Sequence, residues 1–70
     1  MSLLRIQLNG AARETTAATL VQLLEQLDLR ETTAGVAIAV NGSVVPRGEW
    51  PGQVLRNGDC VEVIGAVQGG

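Results

Sequence analysis

The 70-residue chain predicts an α+β fold in which one main helix packs on one face of a mixed sheet of four to five strands. Three observations carry that prediction. Leu4, Ile6 and Leu8 alternate with Arg5 and Gln7, the period of two expected of a half-buried strand. Leu20, Leu23, Leu24 and Leu27 recur at the spacing that lines one stripe of a helix. Val36–Val40 is an unbroken apolar run of strand length.

Each element has its own local reason. Asn9-Gly10 supplies the two residues that most readily take positive φ in a tight hairpin, so the first strand should turn back into a second over Ala11–Thr15. Ala11 and Ala12 make that second strand the weakest of the set. Thr19, with Gln22 three residues on, forms a capping box before the leucine stripe: the hydroxyl takes an orphan N–H and the amide reaches back. The helix is expected to stop over residues 28–30, and the polar stretch 31–35 to act as a connector. Val36–Val40 suits a central strand, and Asn41-Gly42 a second hairpin turn leading into Ser43, Val44 and Val45. Pro46 and Pro51 each remove a ladder donor, which assigns residues 46–52 to an edge or loop, with Trp50 closing one end of the core. Leu55 returns to the core and Asn57-Gly58-Asp59 makes a turn. Residues 60–64 form the last strand, Val61 and Val63 facing opposite to Cys60, Glu62 and Ile64. Hairpin, helix, strand pair, turn and strand, with room for a crossover through the helix, is the arrangement of a ubiquitin-like β-grasp.

Composition limits the chemistry. With 46% apolar and 17% charged residues the chain is globular, one domain over residues 1–65 followed by a tail over 66–70. A chain this short buries roughly 60% of the surface its unfolded form exposes, leaving little room for an active-site cleft. There is no His, no Lys, no Tyr and no Phe, and Cys60 is the single cysteine. An internal disulfide is impossible, and zinc sites, Ser-His-Asp or Cys-His nucleophiles, Schiff-base lysines and the P-loop lysine all lack their residues. No catalytic residue, metal ligand or bound cofactor is expected, and the chain is not read as an enzyme. Arg5, Arg13, Arg30, Arg47 and Arg56 are scattered on a chain of net charge −2, with Trp50 the one aromatic, which argues against nucleic acid. No run of 18 apolar residues spans a bilayer and residues 1–10 lack a basic start before an apolar stretch, so no membrane is expected and the cytoplasm is the expected location.

Three stretches of the chain resemble one family. Residues 40–50 (VNGSVVPRGEW), residues 55–64 (LRNGDCVEVI) and the Gly69-Gly70 end are similar to the ThiS family of thiamine-biosynthesis sulfur carriers, over nearly the whole chain. The Gly-Gly end is shared by every ubiquitin-like carrier; residues 40–50 are the more specific part. The small subunit of molybdopterin synthase, a near relative, is longer and has a Pro-containing approach to its Gly-Gly, where this chain has Ala66-Val67-Gln68. The resemblance implies a carrier, monomeric when free, whose Gly70 carboxylate is adenylated by an E1-like (ThiF-like) adenylyltransferase. It would then be converted to a thiocarboxylate from a persulfide sulfur donor and presented to a ThiG-like thiazole synthase. ATP would be used by the partner, since nothing in this chain suits a triphosphate or Mg²⁺.

The residue types of the tail fit that demand. A carboxylate is a poor electrophile and needs an activating group before sulfur can displace oxygen. Gly69 and Gly70 lack a Cβ, so they can thread a narrow tunnel and leave the acyl carbon open to attack. On the last strand and its neighbour, Ala37, Ala39 and Ile64 suggest a flat apolar docking patch with Glu62 beside it, on the face the single helix leaves uncovered. Cys60 reads as a small apolar strand residue rather than a persulfide relay, since no His or Lys lies near it in sequence. The dispersed acids Glu14, Glu25, Asp28, Glu31, Asp59 and Glu62 read mostly as a solvated surface. Two alternatives keep the same fold: a molybdopterin-type sulfur carrier, or a protein modifier or plain binding module that never carries sulfur.

Overall fold

The computed structural model describes residues 3–29 and 35–65. The tail residues Ala66, Val67, Gln68, Gly69 and Gly70 lie outside them, as does most of the connector expected over 31–35. Five strands, β1 (Leu4–Leu8), β2 (Ala11–Thr15), β3 (Val36–Val40), β4 (Ser43–Val44) and β5 (Cys60–Gly65), form one mixed sheet in the order β2-β1-β5-β3-β4. The single helix α1 spans Leu20–Gln26. The expected β-grasp arrangement is present, with all five strands. No helix among the described residues is long and apolar enough to cross a membrane.

Both hairpins form where Asn-Gly places them. Asn9 and Asn41 adopt φ 53°, and Gly10 and Gly42 φ 84° and 85°, the pair of positive values that a two-residue hairpin requires. β2, the weakest prediction, spans the expected residues in full antiparallel register, Leu4 opposite Thr15 to Leu8 opposite Ala11. It is an edge strand held by β1, so its poor intrinsic preference is overridden by pairing. β3 is interior, but the middle of the sheet belongs to β5, antiparallel to β3 and parallel to β1.

The core lies between the sheet and α1. Leu20, Leu23 and Leu24 are fully buried against Ile6, Ile38, Val61 and Trp50, with Leu4, Leu8, Val36 and Val63 packed around them. Thr19 caps the helix, accepting from the Gln22 amide at 3.3 Å. The return arm differs from the expected box: Gln22 Oε1 accepts from the Ala18 N–H at 2.7 Å, one residue before the cap. The Thr19–Val54 bridge is closed by the Leu20 N–H on Gln53 O and the Leu55 N–H on Ala18 O, both at 2.9 Å.

Three boundaries depart from expectation. α1 ends at Gln26, before 28–30, because Asp28 turns left-handed (φ 65°) and closes the helix. The Asp28 N–H reaches Glu25 O at 3.1 Å and the Leu29 N–H reaches Leu24 O at 2.8 Å, the two bonds of a Schellman stop. β4 ends at Val44, Val45 having turned inward to the core. The stretch expected as loop is a 3₁₀ helix over Arg47–Gly52, following Pro46, whose carbonyl accepts from Glu49 at 2.8 Å. Trp50 closes the core as expected: it is 1% exposed and its Nε1–H donates to Val45 O at 2.8 Å.

Candidate functional site

The last strand carries the candidate site: it runs through the centre of the sheet and ends at Gly65, the last of the described residues. Alternation along β5 sends Val61 and Val63 to the helix side and Cys60, Glu62 and Ile64 to the opposite, open face. Asparagine side chains from the two hairpin turns fasten this strand. Asn41 Oδ1 accepts from the Cys60 N–H at 2.9 Å and Asn9 Oδ1 from the Val63 N–H at 2.9 Å. Asp59, just before β5, accepts from Asn41 Nδ2 at 3.0 Å and from the Arg56 N–H at 2.9 Å. At 9% exposure it is a buried structural acceptor, not part of the solvated surface that the sequence suggested for the acids.

The open face brings the four predicted docking residues together in two cross-strand pairs, Ala37 opposite Ile64 and Ala39 opposite Glu62. Ile64 is 57% exposed, and Ala37 and Glu62 are exposed. Ala39, by contrast, is 7% exposed: its short side chain lies between Glu62 on β5 and Val44 on β4, so it is floor rather than contact. Val44, 74% exposed, belongs to this face and was missed. The signal was present, since an inward Val45 requires its neighbour to point outward. The far half of the same face is polar: Arg5 and Glu14, paired across β1 and β2, meet at 3.2 Å beside Gln7. Exposed at 75% and 52%, that ion pair contributes under about 1 kcal/mol.

Two other singled-out residues fall at opposite ends of β5. Arg47 stands at the tail end, its guanidinium 4.4 Å from the centre of the Trp50 ring and donating at 3.1 Å to the carbonyl of Val36, the residue opposite Gly65. Cys60 stands at the other end, exposed, its Sγ 3.9 Å from Gln7 Oε1. The five steps to Gly65 carry β5 roughly 16 Å away from the thiol. The described residues contain no group of three or more His, Cys, Asp or Glu able to hold a metal ion. What the described residues offer is a surface for docking.

Comparison with known proteins shows the family and the fold. The model of the ThiS family matches residues 6–70. The sulfur carrier protein ThiS of Escherichia coli is 37% identical over 68 residues, 96% of this chain and 100% of that protein. The protein of the same name from Thermus thermophilus is 37% identical over 65 residues, 93% and 98% of the two chains. Among solved structures, the crystal structure of the thiamine biosynthesis protein ThiS from Geobacter metallireducens superposes with a TM-score of 0.77 at 24% identity, over 96% of this chain and 100% of that one. That likeness shows the fold.

Proposed function

The chain belongs to the ThiS family, and from that premise we propose that it is a sulfur carrier of thiamine biosynthesis, acting on the thiazole branch. It does no chemistry alone. The Gly70 carboxylate is the reacting group: an E1-like adenylyltransferase joins it to the AMP moiety of ATP and releases pyrophosphate. The terminal sulfur of a persulfide donor then displaces AMP to form an acyl disulfide, a second thiol cleaves the S–S bond to leave the Gly70 thiocarboxylate and a disulfide on the donor, and thiazole synthase takes up the sulfur. The protein works in the cytoplasm, without a membrane.

One observation carries this reading: β5, the last described strand, is held at the centre of the sheet by both neighbours and by Asn9 and Asn41, and Ala66-Val67-Gln68-Gly69-Gly70 follow it in the sequence. A body that anchors the strand before residues 66–70, with no metal-holding group of side chains among the described residues, suits delivery of Gly70 to another protein's active site. Ala37, Glu62, Ile64 and Val44, with Ala39 beneath, form the docking surface beside it. The small side chains on β3 let a partner surface approach the backbone closely.

Intact-mass measurement tests the proposal. Incubation with ATP, the adenylyltransferase, a persulfide donor and a reducing thiol is expected to replace one carboxyl oxygen of Gly70 by sulfur, a gain of about 16 Da. Removal of Gly70 should leave the unfolding midpoint unchanged and abolish the gain. A truncated chain that still takes up sulfur, or a full chain recovered only as amide-linked conjugates, would overturn the reading. Thiazole formation on adding thiazole synthase assigns the pathway, and sulfur delivery to molybdopterin in its place would reverse that assignment.

A further inference from the structure

Beyond Val61, β5 has outrun its neighbour on one side. The parallel ladder between β1 and β5 consists of Gln7 opposite Cys60 and Leu8 opposite Val61. It stops there because the chain turns back at Asn9-Gly10, whereas β5 continues to Gly65. The direction of the main-chain groups follows from the bonds on either side. The Gln7 and Asn9 N–H groups reach Asp59 O and Val61 O, both at 2.9 Å, so odd-numbered residues of this stretch face β1. The Asn41 N–H reaches Cys60 O at 2.7 Å, so even-numbered residues face β3. By that alternation Val63 and Gly65 face the lane that β1 vacates. The Val63 N–H is met by Asn9 Oδ1, a side chain standing where the next carbonyl of a longer β1 would be. No strand pairing among the described residues continues the ladder past it.

The other two edges of the sheet are blunted. β2 carries Arg13 and Glu14, and β4 is two residues long and followed one residue later by Pro46. Val63-Ile64-Gly65 has no charge and no proline, and Ile64 and Gly65 are exposed. It is the one stretch of edge without such protection among the described strands.

We propose that this lane accepts an extended segment of the adenylyltransferase, main chain to main chain, so that the partner adds a strand beside Val63–Gly65 in the place of a longer β1. This rests on the carrier reading and deepens it. The occupant follows from position: the lane ends at Gly65, directly before residues 66–70 in the sequence, which a tail-binding enzyme must orient, and a strand laid beside Val63–Gly65 would set the direction from which they enter its active site. The recognising chemistry is the Gly65 N–H and the Val63 carbonyl, independent of side-chain identity.

The test compares the full-length chain with Gly65→Ala and Gly65→Pro, titrated calorimetrically into the adenylyltransferase. Proline removes the odd-facing N–H and leaves the even-facing ladder to β3 intact. Gly65→Ala should bind within about threefold of the parent and Gly65→Pro at least about tenfold more weakly, the scale of one lost main-chain hydrogen bond and its unpaired partner. Equal binding by all three overturns the inference, as does an equal loss in both variants. Should Gly65→Pro fail to fold, hydrogen exchange on the unaltered chain decides: the Gly65 amide should slow on adding the enzyme, and an unchanged rate sinks the idea. Slowing with carrier concentration alone would assign the lane to a second copy and overturn the choice of occupant. ATP–pyrophosphate exchange separates the two levels. Exchange supported by the parent while Gly65→Pro binds normally removes only the added strand, whereas no exchange by the parent removes the carrier reading and this inference with it.

Discussion

The two faces of one sheet are built from the same strands, and alternate residues of β1, β3 and β5 are assigned to opposite fates. Toward α1, Ile6, Ile38 and Val61 are 1–2% exposed under Leu20, Leu23 and Leu24. Toward the outside, Arg5, Gln7, Cys60, Glu62 and Ile64 are exposed. One helix can cover one face, so the period of two divides the chain into residues that hold the fold and residues left to meet something else. The apolar share of the outer face, Val44, Ala37 and Ile64, lies toward the β3–β4 side, whereas the Arg5–Glu14 pair lies toward β2. The face nearest the start of the tail is thereby the one able to lose water on docking.

The sharpest way to break the comparison is Leu24→Ala. Leu24 is fully buried on the helix stripe, and its removal is expected to cost about 3 kcal/mol in urea unfolding. For a domain of this size that is about half of the total stability. A loss below about 1 kcal/mol would mean that the helix does not close this face. Asp59→Ala comes next, at about 2 kcal/mol, because the Arg56 N–H and Asn41 Nδ2 lose their acceptor at a nearly buried position. Asp59→Asn, which retains an acceptor oxygen, should recover part of the loss in the same titration. Thr19→Ala is smaller, about 0.5–1 kcal/mol: the cap bond to the Gln22 amide is long at 3.3 Å, and Gln22 still holds the Ala18 N–H.

What could be read from the sequence was whatever neighbouring residues decide among themselves. The Asn9-Gly10 and Asn41-Gly42 hairpins, the Thr19 cap, the leucine stripe and the alternation of β5 are set within a few residues, and the structure has them. The placing of Trp50 was also legible, since a lone large aromatic between two prolines has few other ways to bury itself. Features set by distant residues were not legible. Asp59 is buried because Asn41, 18 positions away, donates to it, and Ala39 is covered because Val44 and Glu62 arrive from two other strands. The central position of β5 was not legible, and the sequence suggested Val36–Val40 for that role, because pairing order depends on long-range closure. The helix stop was misplaced for a local reason: aspartate rarely takes the left-handed position that glycine usually fills, and Asp28 does. Of the candidate site, the pairing of Ala37 with Ile64 and of Ala39 with Glu62 follows from register once β3 and β5 are neighbours. Val44 escaped notice because its outward direction shows only through Val45, which the sequence placed in the strand without assigning it to the core.

The smallest expected effect on stability is the one that most sharpens the contrast between faces. Ile64→Thr keeps a β-branched side chain in the strand and so preserves its conformational preference, but it replaces apolar surface with a hydroxyl at a position 57% exposed. Its unfolding free energy should change by less than about 0.5 kcal/mol, since the hydroxyl stays in water and the ladder to Ala37 is made by the backbone. Affinity for the adenylyltransferase should fall by about tenfold, because docking would then bury less apolar area and strip water from a hydroxyl that the partner does not replace. A stability loss above about 1 kcal/mol with unchanged affinity would show that Ile64 belongs to the fold rather than to the outer surface. The division between the two faces would then have to be redrawn at the end of β5, with Ile64 serving as part of the packing that steadies the strand before the tail departs.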